Sequence, residues 1–321
     1  MRIALSLFAG LAALTSLGAG AAAQTAPGPN VKIIVPYVAG GPTDIIARIM
    51  ADKLGERWKQ TVLIENRPGA GSNTGTVAVA RATPDGTTLL VNTSAVAVNQ
   101  TLFKYPGYDA AKDLTAIANI GQSPNLIIGT KSLKATTLQD ALTEARVGKL
   151  SYGSPGAGTT PNLTMDYLFK VLAKVDVRHV PFKGGSDLMN AALSGAVELG
   201  CGAVPTVFAQ VASGDVKGLG VTSNKRVATL PNVPTVAESG FPGFEDYTWM
   251  AIFAPGGTPP AIANKLNAEI NQVLAIPDVQ ERLAKIGFEI VGGSQESFAK
   301  YLGTEIEKWA KVVKAIGTQP L

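Results

Sequence analysis

The chain has 321 residues, with 28 Lys and Arg against 24 Asp and Glu for a net charge of +4, and it is 46% hydrophobic but only 16% charged. A chain this apolar is not a disordered one, and a charge this small with no basic cluster argues against a nucleic-acid partner. Cys201 is the one cysteine, so an internal disulfide framework is excluded.

Residues 1–23 carry Arg2 as their only charge, break at Gly18 and Gly20, and end in Ala21-Ala22-Ala23 before Gln24. A basic start, an apolar stretch and a small-residue end predict a cleaved secretory signal. A transmembrane anchor is the rival reading, but no basic stop-transfer cluster follows. No later run reaches the roughly 18 apolar residues of a membrane span, so the mature chain is expected to be soluble, exported and not membrane-embedded.

From Val31 onward strand-like and helix-like segments alternate. Residues 32–36 read as a strand and 42–60 as a helix, with Ile45, Ile46, Ile49, Met50 and Leu54 at helical spacing. Pro42 suits the first helical turn and Asp44 its positive end. Strands are predicted over 62–65 and 88–92, with a helix over 74–81 between them, then apolar runs over 116–120 and 125–129. The pattern restarts with helices over 137–145, 161–171, 186–193 and 204–212. The strands among them are 149–152, 176–181, 196–201 and 217–222. Helices over 259–274 and 277–286, a strand over 288–291 and a helix over 294–316 end the chain. Strand–helix–strand units imply α/β architecture with largely parallel sheets. Two such units suggest two lobes around a cleft.

Signatures of catalysis are missing. His179 is the only histidine, so no histidine pair exists for a metal, and it reads as a structural strand residue. Neither a G-x-S-x-G elbow nor a phosphate-binding G-x-x-x-x-G-K-[ST] loop occurs. In 69–75 the third glycine comes one position late for a dinucleotide loop, so a tight turn accounts for it. Cys201 reads as a buried, inert thiol at a strand end. Glu305 and Glu307 lie two apart on a helix and read as solvated surface residues. No catalytic residue, metal or cofactor is expected.

Two small-residue loops stand out, each leading from a strand into a helix: Val38 to Asp44 and Gly153 to Thr160. Such loops present backbone N–H groups at a positive helix end, which suits a carboxylate or phosphate. Both lie at the carboxyl ends of strands, where open α/β sheets bind ligands. Ordinary turn chemistry is the alternative for each.

The stretch from Ile33-Ile34-Val35-Pro36-Tyr37 to Gly40-Gly41-Pro42-Thr43-Asp44 resembles the start of Bug-type (TctC-like) extracytoplasmic solute receptors. Further along, Glu65-Asn66-Arg67-Pro68-Gly69-Ala70-Gly71, Pro84-Asp85-Gly86 and His179-Val180-Pro181-Phe182-Lys183-Gly184 continue the match. So do Val221-Thr222-Ser223, Leu230-Pro231-Asn232-Val233-Pro234-Thr235-Val236-Ala237-Glu238 and Ala254-Pro255-Gly256-Gly257-Thr258-Pro259. The resemblance covers nearly all of the mature chain in order.

It implies a two-lobed periplasmic binding protein (type II-like), each lobe a mostly parallel sheet flanked by helices, with the ligand cleft between them. It implies a receptor that hands a small organic acid to the large and small membrane permease subunits of a tripartite tricarboxylate transporter. The ligand residues carried over are Ala39, Gly40, Gly41 and Asp44 from the first loop, and Ser154, Gly156, Ala157, Gly158 and Thr159 from the second. Thr93, Ser94, Gly202 and Ala203 are further candidates. The lobes are expected to span 24–125 plus 250–321, and 126–249. A sensor partner of a membrane kinase, or an enzyme on the same fold, are the alternative roles. Pro161-Asn162 stands where relatives often have Ser-His, and Cys201-Gly202-Ala203 where many have Phe-Asp-Asn. The second departure suggests an apolar wall and a bulky or aromatic acid. Tyr37, Phe182 and Trp249 lie in segments that could reach the cleft.

Overall fold

The structure, a computed structural model, describes residues 28–148, 150–318 and 320. The signal segment lies outside the described residues. The first lobe grows from β1 (Lys32–Val35), which pairs in parallel with β2 (Leu63–Asn66) on one side and β3 (Thr88–Thr93) on the other. Helices α1 (Pro42–Trp58) and α2 (Asn73–Ala80) are the crossovers. After β3 comes α3 (Ala95–Leu102), whose Ala-Val-Ala-Val start hides its helical character in the sequence.

The two apolar runs predicted at 116–120 and 125–129 are one strand, β4 (Leu114–Gly129). Its N-terminal part pairs antiparallel with β9 (Tyr247–Pro255), a strand the sequence reading did not assign. From Asn125 onward β4 pairs instead with β7 (Leu199–Ala203) and β8 (Lys217–Val221). Pro124 breaks the strand pattern in the sequence, since proline cannot donate to a ladder. It is tolerated because it pairs with β9 on one edge only, between β10 (Glu289–Ile290) and the start of β7.

The second lobe holds α4 (Leu138–Val147), β5 (Ser151–Ser154), α5 (Thr160–Asp166), β6 (Arg178–Pro181), α6 (Gly185–Ser194) and α7 (Val204–Ala212). A π-helical stretch, Tyr167–Ala173, extends α5. Around β5 the pairing is parallel to both β6 and β7. Strand order across the whole sheet is β2-β1-β3-β9-β4-β7-β5-β6. Parallel pairing therefore holds in each outer trio, while β4 and β9, which join the lobes, meet their neighbours antiparallel.

Helices α8 (Pro260–Leu274), α9 (Pro277–Lys285) and α10 (Gln295–Ile316) return to the first lobe. The side chain of Ser294 caps α10 by accepting from the Ser297 N–H at 3.1 Å, and Gly317 ends it at φ +71°. Four apolar clusters fill the two faces of the two sheet halves. On the inner face of α10 the ring of Phe298 lies 5.9 Å from that of Trp249. Glu305 is not the surface residue its spacing suggested. It is buried, and its carboxylate accepts from the indole N–H groups of Trp249 at 2.9 Å and Trp309 at 3.0 Å. No described helix is long and apolar enough to cross a membrane.

Candidate functional site

The carboxyl ends of β1, β3, β5, β6 and β7 meet along one line between the lobes, and each is followed by a helix. The N-termini of α1, α3, α5, α6 and α7 therefore converge on a cavity of about 40 Å³. Gly41, Thr93, Thr159, Gly185 and Ala203 line it, one from each strand–helix junction. Tyr37, Thr248 and Met250 close its floor from β1's end and from β9. No Lys, Arg, Asp or Glu is among the lining residues. The field inside comes from backbone: each helix N-terminus carries about half a positive charge and leaves N–H groups unpaired. Among the described residues the N–H groups of Thr43 and Asp44 in α1, and of Ala157 and Thr160 at the second loop, have no backbone or side-chain acceptor. Hydroxyls of Thr43 and Thr206 add donors around the cavity, while those of Thr159 and Thr248 already donate to the Gly156 carbonyl and to Asn125 Oδ1, each at 2.7 Å. Tyr37 donates to or accepts from Thr93 Oγ1 at 2.8 Å, and burial pushes its phenol up to about 12, so it stays neutral.

The sequence-predicted residues divide into three groups. Gly41, Thr93, Thr159 and Ala203 line the cavity. A second group braces it from behind. Ser94 Oγ bonds to Thr160 Oγ1 across the lobes. Ser154 is buried and reaches the Gly156 carbonyl at 3.0 Å. Gly158 donates to Asn162 Oδ1 at 3.1 Å. The Ala157 carbonyl faces Gly71 of the first lobe, and Gly202 packs on Thr206. The third group stands apart from the cavity. Ala39 and Gly40 are exposed at the turn. Asp44 is buried and its carboxylate is already occupied, by Arg48 at 2.9 Å, the Gly40 N–H at 2.9 Å and Asn66 at 2.9 Å. Burial alone would raise its pKa, but these partners outweigh it and hold it below the usual carboxylate range.

The wall expected from residues 201–203 is supplied by Ala203 alone. Cys201 is fully buried in the core of the second lobe, and burial pushes its thiol well up. Trp249 is likewise a core residue, and Phe182 packs under Gly153; neither lines the cavity. The contributions of α6 and α7, through Gly185 and Thr206, went unread. The rule applied to the two glycine-rich loops, ligand at the carboxyl ends of strands, also covers the turns after β6 and β7. The turn after β6 carries Gly184-Gly185 just as the first loop carries Gly40-Gly41, and at the turn after β7 the expectation stopped at Gly202 and Ala203.

The lobes touch on both sides of the cavity. Asn99, Leu102 and Phe103 of α3 pack against Gly158. Behind the cavity α10 meets α5 and its π-helical extension. There Asp246, just before β9, is buried; it accepts from Asn125 Nδ2 at 2.8 Å and also from Thr164 Oγ1. Burial raises its pKa to about 6 against the pull of Lys308.

The family described as tripartite tricarboxylate transporter family receptor matches residues 46–318. Protein BugT of Bordetella pertussis is 32% identical over 311 residues, which is 96% of this chain and 95% of that protein. Two solved structures from Rhodopseudomonas palustris are similar throughout. Rpa4515 with adipate has a TM-score of 0.88 at 34% identity, covering 92% of this chain and 99% of that one. MatC with bound malate has a TM-score of 0.83 at 32% identity, covering 89% and 99%. The family match takes in most of both lobes, and this chain belongs to the tripartite tricarboxylate transporter receptor family.

Proposed function

We propose that this protein captures a small organic carboxylate between its lobes in the periplasm, after loss of residues 1–23, and delivers it to the membrane subunits of a tripartite transporter. The observation that carries this is the convergence of five helix N-termini on one cavity lined by no charged side chain. Each helix end favours an anion by about 0.3–1 kcal/mol, and unpaired N–H groups supply directed donors. The adipate and malate bound by the two relatives belong to the same ligand class.

Ligand shape follows from space. The cavity holds about 40 Å³, against the ~150 Å³ that accommodates a benzene ring. An aromatic acid requires the lobes to stand further apart than they do here, and a slender aliphatic acid requires less. We therefore favour a short-chain aliphatic mono- or dicarboxylate. The segments 24–125 plus 250–321 and 126–249 are proposed to move as the two bodies, exchanging at Asn125 and at Thr248.

Ligand bound to both lobes selects the closed arrangement. Small-angle scattering of ligand-stripped protein, repeated with the acid identified by mass spectrometry of freshly purified material, tests this. The radius of gyration should fall on saturation. An unchanged radius, or release of a neutral or cationic compound only, would remove the proposal.

A further inference from the structure

Behind the second loop lies a largely buried polar cluster around the half-buried His179, which does not itself line the ligand cavity. His179 Nε2 is 2.7 Å from Ser154 Oγ, and Ser154 Oγ is 3.0 Å from the Gly156 carbonyl. Thr159 Oγ1 donates to the same carbonyl at 2.7 Å. On the other side of the ring, Nδ1 lies 3.4 Å from Asn162 Nδ2. The orientation of Asn162 is fixed by three bonds: its Oδ1 accepts from the Gly158 N–H at 3.1 Å, and its Nδ2 donates to Tyr152 Oη at 2.8 Å and to Asp166 Oδ2 at 3.3 Å. Tyr152 also stacks on the imidazole, with ring centroids 4.8 Å apart.

These bonds favour one tautomer. One Asn162 N–H goes to Tyr152 Oη, and the other lies between Asp166 Oδ2 at 3.3 Å and Nδ1 at 3.4 Å, so an unprotonated Nδ1 is the form that avoids two opposed N–H groups. Nε2 is then the protonated nitrogen and donates to Ser154 Oγ, leaving the serine proton for the Gly156 carbonyl. We propose that His179, neutral and protonated on Nε2, is a positioning residue of the ligand loop. Through Ser154 it fixes the Gly156 carbonyl, and together with Asn162 it holds the loop in the shape that leaves the Ala157 and Thr160 N–H groups free for ligand. The inference rests on reading that loop as a carboxylate contact. Burial supports the neutral form, lowering the pKa to about 4; Asp166, which faces the ring, opposes that shift and Lys170 adds to it.

The chain has a single histidine, so with any purification tag removed its imidazole nitrogens give one unambiguous NMR signature. At neutral pH the expected pattern is a protonated Nε2 and an unprotonated Nδ1; the reverse pattern overturns the proposal. Two variants separate positioning from packing. His179→Phe keeps a ring over Tyr152 but has no donor, whereas His179→Gln returns an amide N–H near the Nε2 position. Amide exchange at Gly158 should quicken about tenfold in His179→Phe and recover in His179→Gln, with β5 and β7 unchanged. The Ser154→Ala/His179→Phe double variant should exchange no faster than the faster single one, because both break the same link. Equal exchange in wild type and His179→Phe, or equal loss in both variants, overturns the proposal. Adipate and malate titrations run in parallel. If wild type binds either acid and His179→Phe binds it equally well, the positioning role is wrong. If wild type binds no acid, the function reading falls, and the exchange data still judge His179.

Discussion

The turn after β1 is held by charge, whereas the turn after β5 is held by a network of neutral groups. In the first, Asp44 gathers Arg48, Asn66 and the Gly40 N–H at the rim, and Ala39 and Gly40 remain open to water. In the second, the half-buried His179 links the buried side chains of Ser154 and Asn162, Ser154 and Thr159 both donate to the Gly156 carbonyl, and Gly158 is pressed against α3 of the opposite lobe. The difference has a physical reason. An ion pair at the rim keeps part of its hydration, and its negative member is neutralised before it can compete with a ligand for the α1 dipole. A charge buried beside the cavity would have no such compensation. The first loop is therefore a rigid lip and the second a closing surface.

The largest expected contrast is between two glycines, both at positive φ. Gly158 has φ +80°, and a Cβ there would run into Asn99, with Leu102 Cδ2 at 3.0 Å and Phe103 Cε2 at 3.2 Å. Gly158→Val should prevent closure and abolish ligand binding, read as an unchanged radius of gyration in scattering and no heat in titration calorimetry. Gly40 has φ +78° but nothing nearer its Cβ direction than Ser186 Oγ at 3.9 Å. Gly40→Val should cost only the left-handed strain, about 1–2 kcal/mol in denaturant melts, while binding persists. Equal loss of binding in both would erase the distinction between lip and closing surface.

Next in size is Asp44→Ala. It strands the Gly40 N–H and the Asn66 amide, so stability should fall by about 1–3 kcal/mol. Ligand affinity should change much less, because Asp44 does not line the cavity. Affinity lost in proportion to stability would place Asp44 in the ligand contact after all.

Much of this was legible in the sequence. Periodicity located most helices, and the α7 span of 204–212 agrees with its observed bounds. Local glycine chemistry located both loops. What stayed hidden depends on long-range pairing. Continuity through Pro124 is visible only once β9 is placed beside it, and β9, though framed by Pro242-Gly243 and Pro255-Gly256-Gly257, has its antiparallel partner more than a hundred residues earlier in the chain. The placement of Glu305 followed the same rule: spacing on α10 shows which residues share a face, and only the packing of Trp249 and Trp309 shows that Glu305 faces inward. In the site, residue type indicated anion binding, but the sorting into lining, bracing and distant residues came from where backbones cross. Ala39 and Asp44 belong to the loop after β1 but do not line the cavity.

The smallest effect concerns pH and again separates the two loops. The folded-state pKa of His179, about 4, lies below its unfolded value near 6.5, so the unfolded chain takes up the proton first. Its contribution to stability is present above about pH 6.5 and is lost as pH falls toward about 4. The pKa of Asp44 lies below the ordinary carboxylate value, so its contribution is fully present above that ordinary value and is lost as pH falls through it toward the lower folded-state pKa. Asp246, raised to about 6, acts in the opposite sense: its contribution is lost as pH rises through that value. Because Asp246 is present in every variant compared, its effect cancels in differences. The thermal midpoint of wild type should drop relative to His179→Gln between about pH 6.5 and about pH 4, and should run parallel to that of Asp44→Asn over the same interval. A constant gap between wild type and His179→Gln would mean that the ring titrates normally in the folded protein.

The central claim is that backbone dipoles, with no basic side chain, hold a carboxylate in the cleft. The measurement that tests it most directly is titration calorimetry of ligand-stripped protein with straight-chain acids from succinate to suberate, with malate, and with the corresponding amides. The account predicts that at least one acid binds with one-to-one stoichiometry and that its amide gives no detectable heat. Amides that bind as tightly as their acids, or a complete absence of binding by any acid, would contradict it.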